Sequence, residues 1–189
     1  MVDTRDALLH SASTLLAKEG PSALTVRRIA TEAGVSTMGV YSRFGGKDGV
    51  VDALLRDGFE DLTRAMDGVG RTDDPLADLQ RCCPAYREFG LSNPTRYRLM
   101  FEGTVPDFVP SEESIATASA SFDLLVERVA RCVDAGTLAP GDPAEIAASL
   151  WAASHGLISL ELSGRKPVAV GGDDPYERTM AAMIKGLSP

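Results

Sequence analysis

Between Leu24 and Lys47 the sequence reads LTVRRIATEAGVSTMGVYSRFGGK, with apolar residues at helical spacing on both sides of one corner, Ala33-Gly34-Val35-Ser36. Thr25 stands just before a run in which Val26, Ile29 and Ala30 share a face, so it caps a short helix whose Arg27 and Arg28 point elsewhere. Gly34 breaks that helix and, with Val35, makes the corner; Ser36 caps the next helix, predicted from Thr37 toward Phe44. Val40 and Phe44, four residues apart, form its inward face. Thr37, Met38, Gly39, Ser42 and Arg43 are left outward or at its exposed end, and Tyr41 lies at the margin, where its ring packs while its hydroxyl reaches out. The spacing predicts a helix-turn-helix whose second helix reads the major groove.

The remaining periodicity is helical almost throughout, which sets the fold class as all-α with about nine helices. Thr4 to Glu19 puts Ala7, Leu8, Ala12, Leu15 and Leu16 on one stripe and stops at Gly20-Pro21. After Gly45-Gly46 a fourth helix is expected from Lys47 to about Asp67, followed by a Gly/Asp-rich break from Gly68 to Pro75. These signals divide the chain into a head, residues 1–47, with a connecting helix, 47–67, and a helical domain over 74–189. In that domain Asp74-Pro75, Asn93-Pro94, Ser111, Asp142-Pro143 and Asp174-Pro175 open helices. Pro84 is expected to kink or interrupt the first of these and Gly90 to shorten it, with loops at Gly103–Pro110 and Val168–Gly172. Ile115, Ala118, Phe122, Leu125, Val126, Val129 and Val133 should face inward on the seventh helix.

Composition bounds the function. At 189 residues and 44% apolar the chain can bury a core. No apolar run approaches 20 residues and no apolar leader follows basic residues, so a membrane span or secretory signal is not indicated and a cytoplasmic location is expected. Three cysteines, Cys82, Cys83 and Cys132, are an odd number that fits a reducing compartment better than a disulfide framework. The overall charge of −8 argues against nucleic acid until it is divided along the chain. Residues 1–47 carry six Lys or Arg against four Asp or Glu, whereas the rest carries 13 against 23, so positive charge is concentrated where the helix-turn-helix is.

The head resembles the TetR family of bacterial one-component regulators. It shares a leading Leu24-Thr25, the Ala33-Gly34-Val35-Ser36 turn, Tyr41 two residues ahead of Arg43-Phe44, and Lys47 opening the fourth helix. The resemblance runs over roughly residues 5–59. Further on, Trp151, His155 and Gly156 form a Trp-x-x-x-His-Gly stretch resembling the C-terminal domain variant named for those residues. Met38-Gly39 departs from the pattern, since many relatives carry a small residue or Gly first and Thr or Ser near the second position.

Site residues follow from geometry. Thr25, Tyr41 and Lys47 should fasten phosphates; Thr37, Met38, Ser42 and Arg43 should meet base edges, arginine suiting guanine and the Thr and Met methyls suiting thymine. Ser36 and Gly39 complete the DNA-facing set, and Arg27 and Arg28 are either solvated surface charges or phosphate contacts. A single head covers few base pairs, so a homodimer on a palindromic operator is expected, its last two long helices pairing with their mates as a four-helix bundle, as the resemblance also implies. An effector pocket is expected from Tyr86, Phe89, Tyr97, Met100, Phe101, Phe122, Leu125, Trp151 and His155, which suits a small apolar or aromatic molecule. His155 reads equally as a packed structural histidine. No His-Glu-x-x-His, zinc-spaced cysteine pair or glycine fingerprint is present, so no metal, cofactor or catalytic constellation is expected. Two alternatives stand beside a ligand-released repressor: an activator or ligand-independent regulator, and a helical interaction module that no longer binds DNA.

Overall fold

The computed structural model describes residues 3–165 and 174–189. Among these, nine α-helices and one 3-10 turn make up the regular structure, and there is no strand. The helices are α1 (Thr4–Glu19), α2 (Val26–Glu32), α3 (Thr37–Phe44), α4 (Lys47–Asp67), α5 (Pro75–Ser92), α6 (Pro94–Phe101), α7 (Glu112–Asp134), α8 (Pro143–Leu162) and α9 (Pro175–Gly186), with the 3-10 turn at Pro21–Ala23. The expected loop at Val168–Gly172 lies outside the described residues.

Their starts are encoded locally. Asp3, Thr25, Ser36, Asp142 and Asp174 each accept a first-turn backbone N–H, and α5, α6, α8 and α9 begin with proline, whose missing donor costs nothing there. The expected interruption does not occur: α5 runs unbroken through Pro84 and Gly90 to Ser92. Pro84 is exposed, while Cys82, Tyr86, Phe89 and Gly90 around it are buried. Packing on both sides of the proline therefore outweighs the roughly 3 kcal/mol that a helix-interior proline costs.

By internal contacts the chain forms two compact units. The first comprises residues up to Asp61 together with Asn93–Ala118; the second comprises Leu62–Ser92 and Ser119–Pro189. The division read from composition places residues 93–118 with the later helices, whereas their contacts place them with the head. Leu99 of α6 and Val105 are buried in the same core as Leu8, Ile29, Val40 and Val50, with Phe108 packed against it. Polar contacts reinforce this: Asp52 accepts both the backbone N–H and the hydroxyl of Ser111 at 2.8 Å, Arg56 pairs with Glu113 at 2.6 Å, and Arg96 pairs with Asp61. The Ser114 hydroxyl donates to the Asp52 carbonyl at 3.3 Å, and Ser114 is fully buried. These serine contacts fix the rotation of α7, so Ile115, expected inward, is instead 54% exposed.

In the second unit α5, α8 and α9 share a core that includes Leu79, Cys82, Leu150, Ile158 and Met180. The Gly68–Pro75 break is pinned by charge. Fully buried Asp78 accepts the N–H and hydroxyl of Thr72 and one guanidinium N–H of Arg131, each at 2.8 Å, and also pairs with Arg81 at 2.5 Å. The Thr72 hydrogen bonds, with those arginines, hold the Asp78 carboxyl well below the usual carboxylate range. Arg128, also buried, donates to the carbonyls of Met66 and Gly70 at 3.0 Å, closing the last turn of α4. Arg87 makes two hydrogen bonds of 2.9 Å to Glu161, a third of 3.0 Å to Asp174, and lies 4.9 Å from the Tyr176 ring centre.

Candidate functional site

The α2–α3 corner is built as its sequence demands. The Thr25 hydroxyl accepts the Arg28 N–H at 3.3 Å, and Gly34 takes the left-handed φ of 68° that lets the chain reverse. The Val35 N–H then donates to the Ala30 carbonyl at 2.9 Å, and the Ser36 hydroxyl accepts the Gly39 N–H at 3.3 Å. Val40 is fully buried and Phe44 packs against the same core, anchoring α3. Thr37, Met38, Tyr41, Ser42 and Arg43 are exposed, Met38 by 72% and Tyr41 by 54%. Gly39 is half-buried, and the Ser42 hydroxyl donates to the Gly39 carbonyl at 3.3 Å.

The α3–α4 junction contains a residue that sequence reading missed. A Cβ built on Gly49 would lie 1.7 Å from the Phe44 carbonyl oxygen, so only glycine lets the first turn of α4 approach the end of α3. Such a need shows in the fold and not in a motif. Tyr41 packs over the same junction: a Cβ at Gly46 would meet its ring at 3.7 Å.

The cations of the head differ in their commitments. Arg28 is held in two hydrogen bonds, 2.6 and 2.7 Å, by Glu19, which keep Arg28 above its usual range and Glu19 below its own. Lys47, half-buried, has Asp48 at 3.4 Å, and Arg5 is paired with Asp57 at 2.7 Å. Among the described residues neither Arg27 nor Arg43 has an acidic partner, and both are exposed. Arg43 borders a mixed-charge cleft of about 560 Å³ that Arg5, Arg56, Asp3 and Asp52 also line.

The nine residues expected to form an effector pocket fall in both units. In the first, Tyr97 is fully buried, and Phe101 stacks at 4.8 Å from Tyr97 and 5.6 Å, edge-on, from Phe59. Met100 lies over Gly58, where a Cβ would meet its sulfur at 2.9 Å. In the second, four gather into one cluster. Trp151 Nε1 donates to the Tyr86 hydroxyl at 3.1 Å, while the Trp151 ring lies 6.2 Å from Phe122 and 5.7 Å from His155. His155 Nε2 sits 3.4 Å from the Ser159 hydroxyl. Phe89 is buried on α5, and Leu125 is half-buried one turn after Phe122. Beside this cluster, and unforeseen, Tyr176 donates to the Cys83 carbonyl at 2.7 Å and shares a 2.6 Å hydrogen bond with Ser154. Burial pushes the Cys82 thiol up to about 11 and the Cys83 thiol up to about 12, so neither is a thiolate at neutral pH.

A buried-anchored helix that presents exposed side chains after a capped tight turn defines a helix-turn-helix regulator of transcription. Residues 8–54 match the family model described as bacterial regulatory proteins, tetR family, and residues 79–184 match that of the tetracyclin repressor-like C-terminal domain. The chain belongs to the TetR family. The HTH-type transcriptional regulator Rv1816 of Mycobacterium tuberculosis is 24% identical, over 79% of this chain and 76% of its own length. The HTH-type transcriptional repressor KstR2 of Mycobacterium tuberculosis is 42% identical over 78 residues, covering 40% of this chain and 38% of the repressor. A solved structure of a Rhodococcus sp. RHA1 protein of unknown function superposes with a TM-score of 0.83 at 28% identity, covering 100% of this chain and 97% of that one. The family and its named members regulate transcription and are not enzymes. No helix among the described residues is long and apolar enough to cross a membrane.

Proposed function

We propose that this chain is a homodimeric repressor released from a palindromic operator by a small, mainly apolar or aromatic ligand. The observation that carries the reading is α3, whose Val40 and Phe44 are anchored while Thr37, Met38, Tyr41, Ser42 and Arg43 stay exposed. Between the two arginines of α2, the Glu19 pair commits Arg28 to the fold and leaves Arg27 for DNA. Thr25, Tyr41 and Lys47 hold phosphate, which positions without specifying. A second copy supplies the other recognition helix, about 34–36 Å away on a palindrome. Its pairing surface is the outer face of α8, where Ala144, Ala148, Ala152, Gly156 and Leu160 recur every fourth residue and are exposed, joined by exposed Ala181 and Ala182 of α9. Small residues let helices approach closely. The Tyr86, Phe122, Trp151 and His155 cluster supports an aromatic or apolar effector met by few polar groups. Release is a population shift: ligand favours a conformation in which α4, which has residues in both units, no longer holds the recognition helices at operator spacing.

Sedimentation together with gel retardation on the protein's own upstream region tests this. The expected results are a dimer at micromolar concentration and salt-dependent retardation, with Tyr41→Ala and Lys47→Ala weakening binding to every sequence alike. A monomer at all concentrations would sink the dimer. Unchanged affinity of Tyr41→Ala would overturn the phosphate assignment, and a screen in which no compound lowers affinity would remove the effector.

A further inference from the structure

We propose that Met38 makes operator choice depend on the C5-methyl group of a thymine, so that at this step the protein reads a methyl and not a hydrogen-bonding pattern. The inference rests on the DNA-binding reading above and specifies the chemical group recognised. In a helix-turn-helix the N-terminal residues of the second helix reach the base edges. At that end of α3 the Ser36 hydroxyl is already engaged by the Gly39 N–H at 3.3 Å, and Gly39 has no side chain. One turn on, the Ser42 hydroxyl is turned back to the Gly39 carbonyl at 3.3 Å, and Arg43 borders the cleft with Arg5 and Phe44 at the opposite end of the helix. Thr37 and Met38 remain.

Met38 is 72% exposed, the most exposed large apolar side chain of the helix. It offers no hydrogen-bond donor and only a weak sulfur acceptor, so it cannot read amino or carbonyl groups. The apolar group that base pairs display in the major groove is the thymine methyl. Its neighbour points the same way. A Cβ built on Gly39 would meet nothing closer than 3.8 Å, so the head has room for alanine, which suits a helix better. Glycine there leaves the flank of Met38 bare for the approach of a base edge.

Duplexes enriched from a randomised pool by the wild-type protein provide the probe, resynthesised with deoxyuridine in place of one thymine at a time, which removes only the C5-methyl. At one step in each half-site the wild-type protein is expected to lose about three- to fivefold in affinity, the value of one buried methyl-sized group. Met38→Ala should bind thymine and uracil probes alike, and Met38→Leu should keep the preference. Indifference of the wild-type protein to every replacement would overturn the inference, as would an undiminished uracil penalty in Met38→Ala. If the wild-type protein enriches no duplex, the DNA-binding reading itself fails and takes this inference with it. That failure is distinct from enrichment without methyl dependence.

Discussion

Two glycines of the head carry opposite demands. Gly49 has no room: alanine would drive its Cβ to 1.7 Å from the Phe44 carbonyl oxygen and 2.8 Å from the carbonyl carbon, backbone atoms that cannot move without separating α3 from α4. Gly49→Ala should cost about 1–3 kcal/mol in urea unfolding, as overpacking does, and weaken DNA binding because Lys47 shifts with α4. Gly39 has room on the protein side. Gly39→Ala should raise stability by about 0.5–1 kcal/mol while lowering operator affinity; a variant that gains stability and binds DNA as before would show that the bare flank has no use. The Thr25 and Ser36 caps and the Gly34 corner are legible in the sequence because each is a local requirement of a helix end. Gly49 is not, since its requirement is created by another residue's backbone.

At the scale of elements, α1, α3 and α4 have the bounds that their periodicity and caps predict, whereas α5 and α7 show what periodicity omits. Pro84 reads as a break because local rules know nothing of Tyr86 and Phe89 packing beyond it. Ile115 reads as core because spacing cannot reveal that two serines bonded to Asp52 set the rotation of α7. Buried Asp78 and Arg128 were equally hidden, since charged residues in a sequence read as surface. Asp78 makes a pH-dependent contribution whose sign follows from its depressed pKa. Its stabilisation is complete above the ordinary carboxylate value of about 3.9 and is lost as pH falls through the lower folded-state value. Asp78→Asn should therefore be less stable at neutral pH and lose stability less steeply in acid. Parallel acid limbs for the two proteins would show that ionisation of Asp78 does not matter.

For the whole molecule, the two units redraw where a head ends. Leu99, Val105 and Phe108 belong with the core built around Leu8 and Ile29, so a fragment stopping at Asp67 leaves that core open. Such a fragment should melt without cooperativity in circular dichroism; a sharp two-state transition would show that the first four helices suffice. The body offers the complementary test. Apart from the backbone of its own helix, a Cβ on Gly156 meets no atom of the described residues within 4 Å, so Gly156→Trp should keep the fold yet sediment as a monomer if α8 pairs with a second copy. The sequence made the helix-turn-helix readable because its residues are contiguous. It left the residues proposed to meet an effector as a composition, since aromatics at helical spacing look the same whether they fill a core or line a cavity. Trp151 is the chain's one tryptophan, and its indole nitrogen is bound to Tyr86 while its ring neighbours His155. Excited at the red edge, where the four tyrosines do not absorb, the protein's indole emission is thus the signal of a single address, so a compound entering that cluster announces itself as a change in colour or intensity, with no dye attached and no DNA in the cuvette.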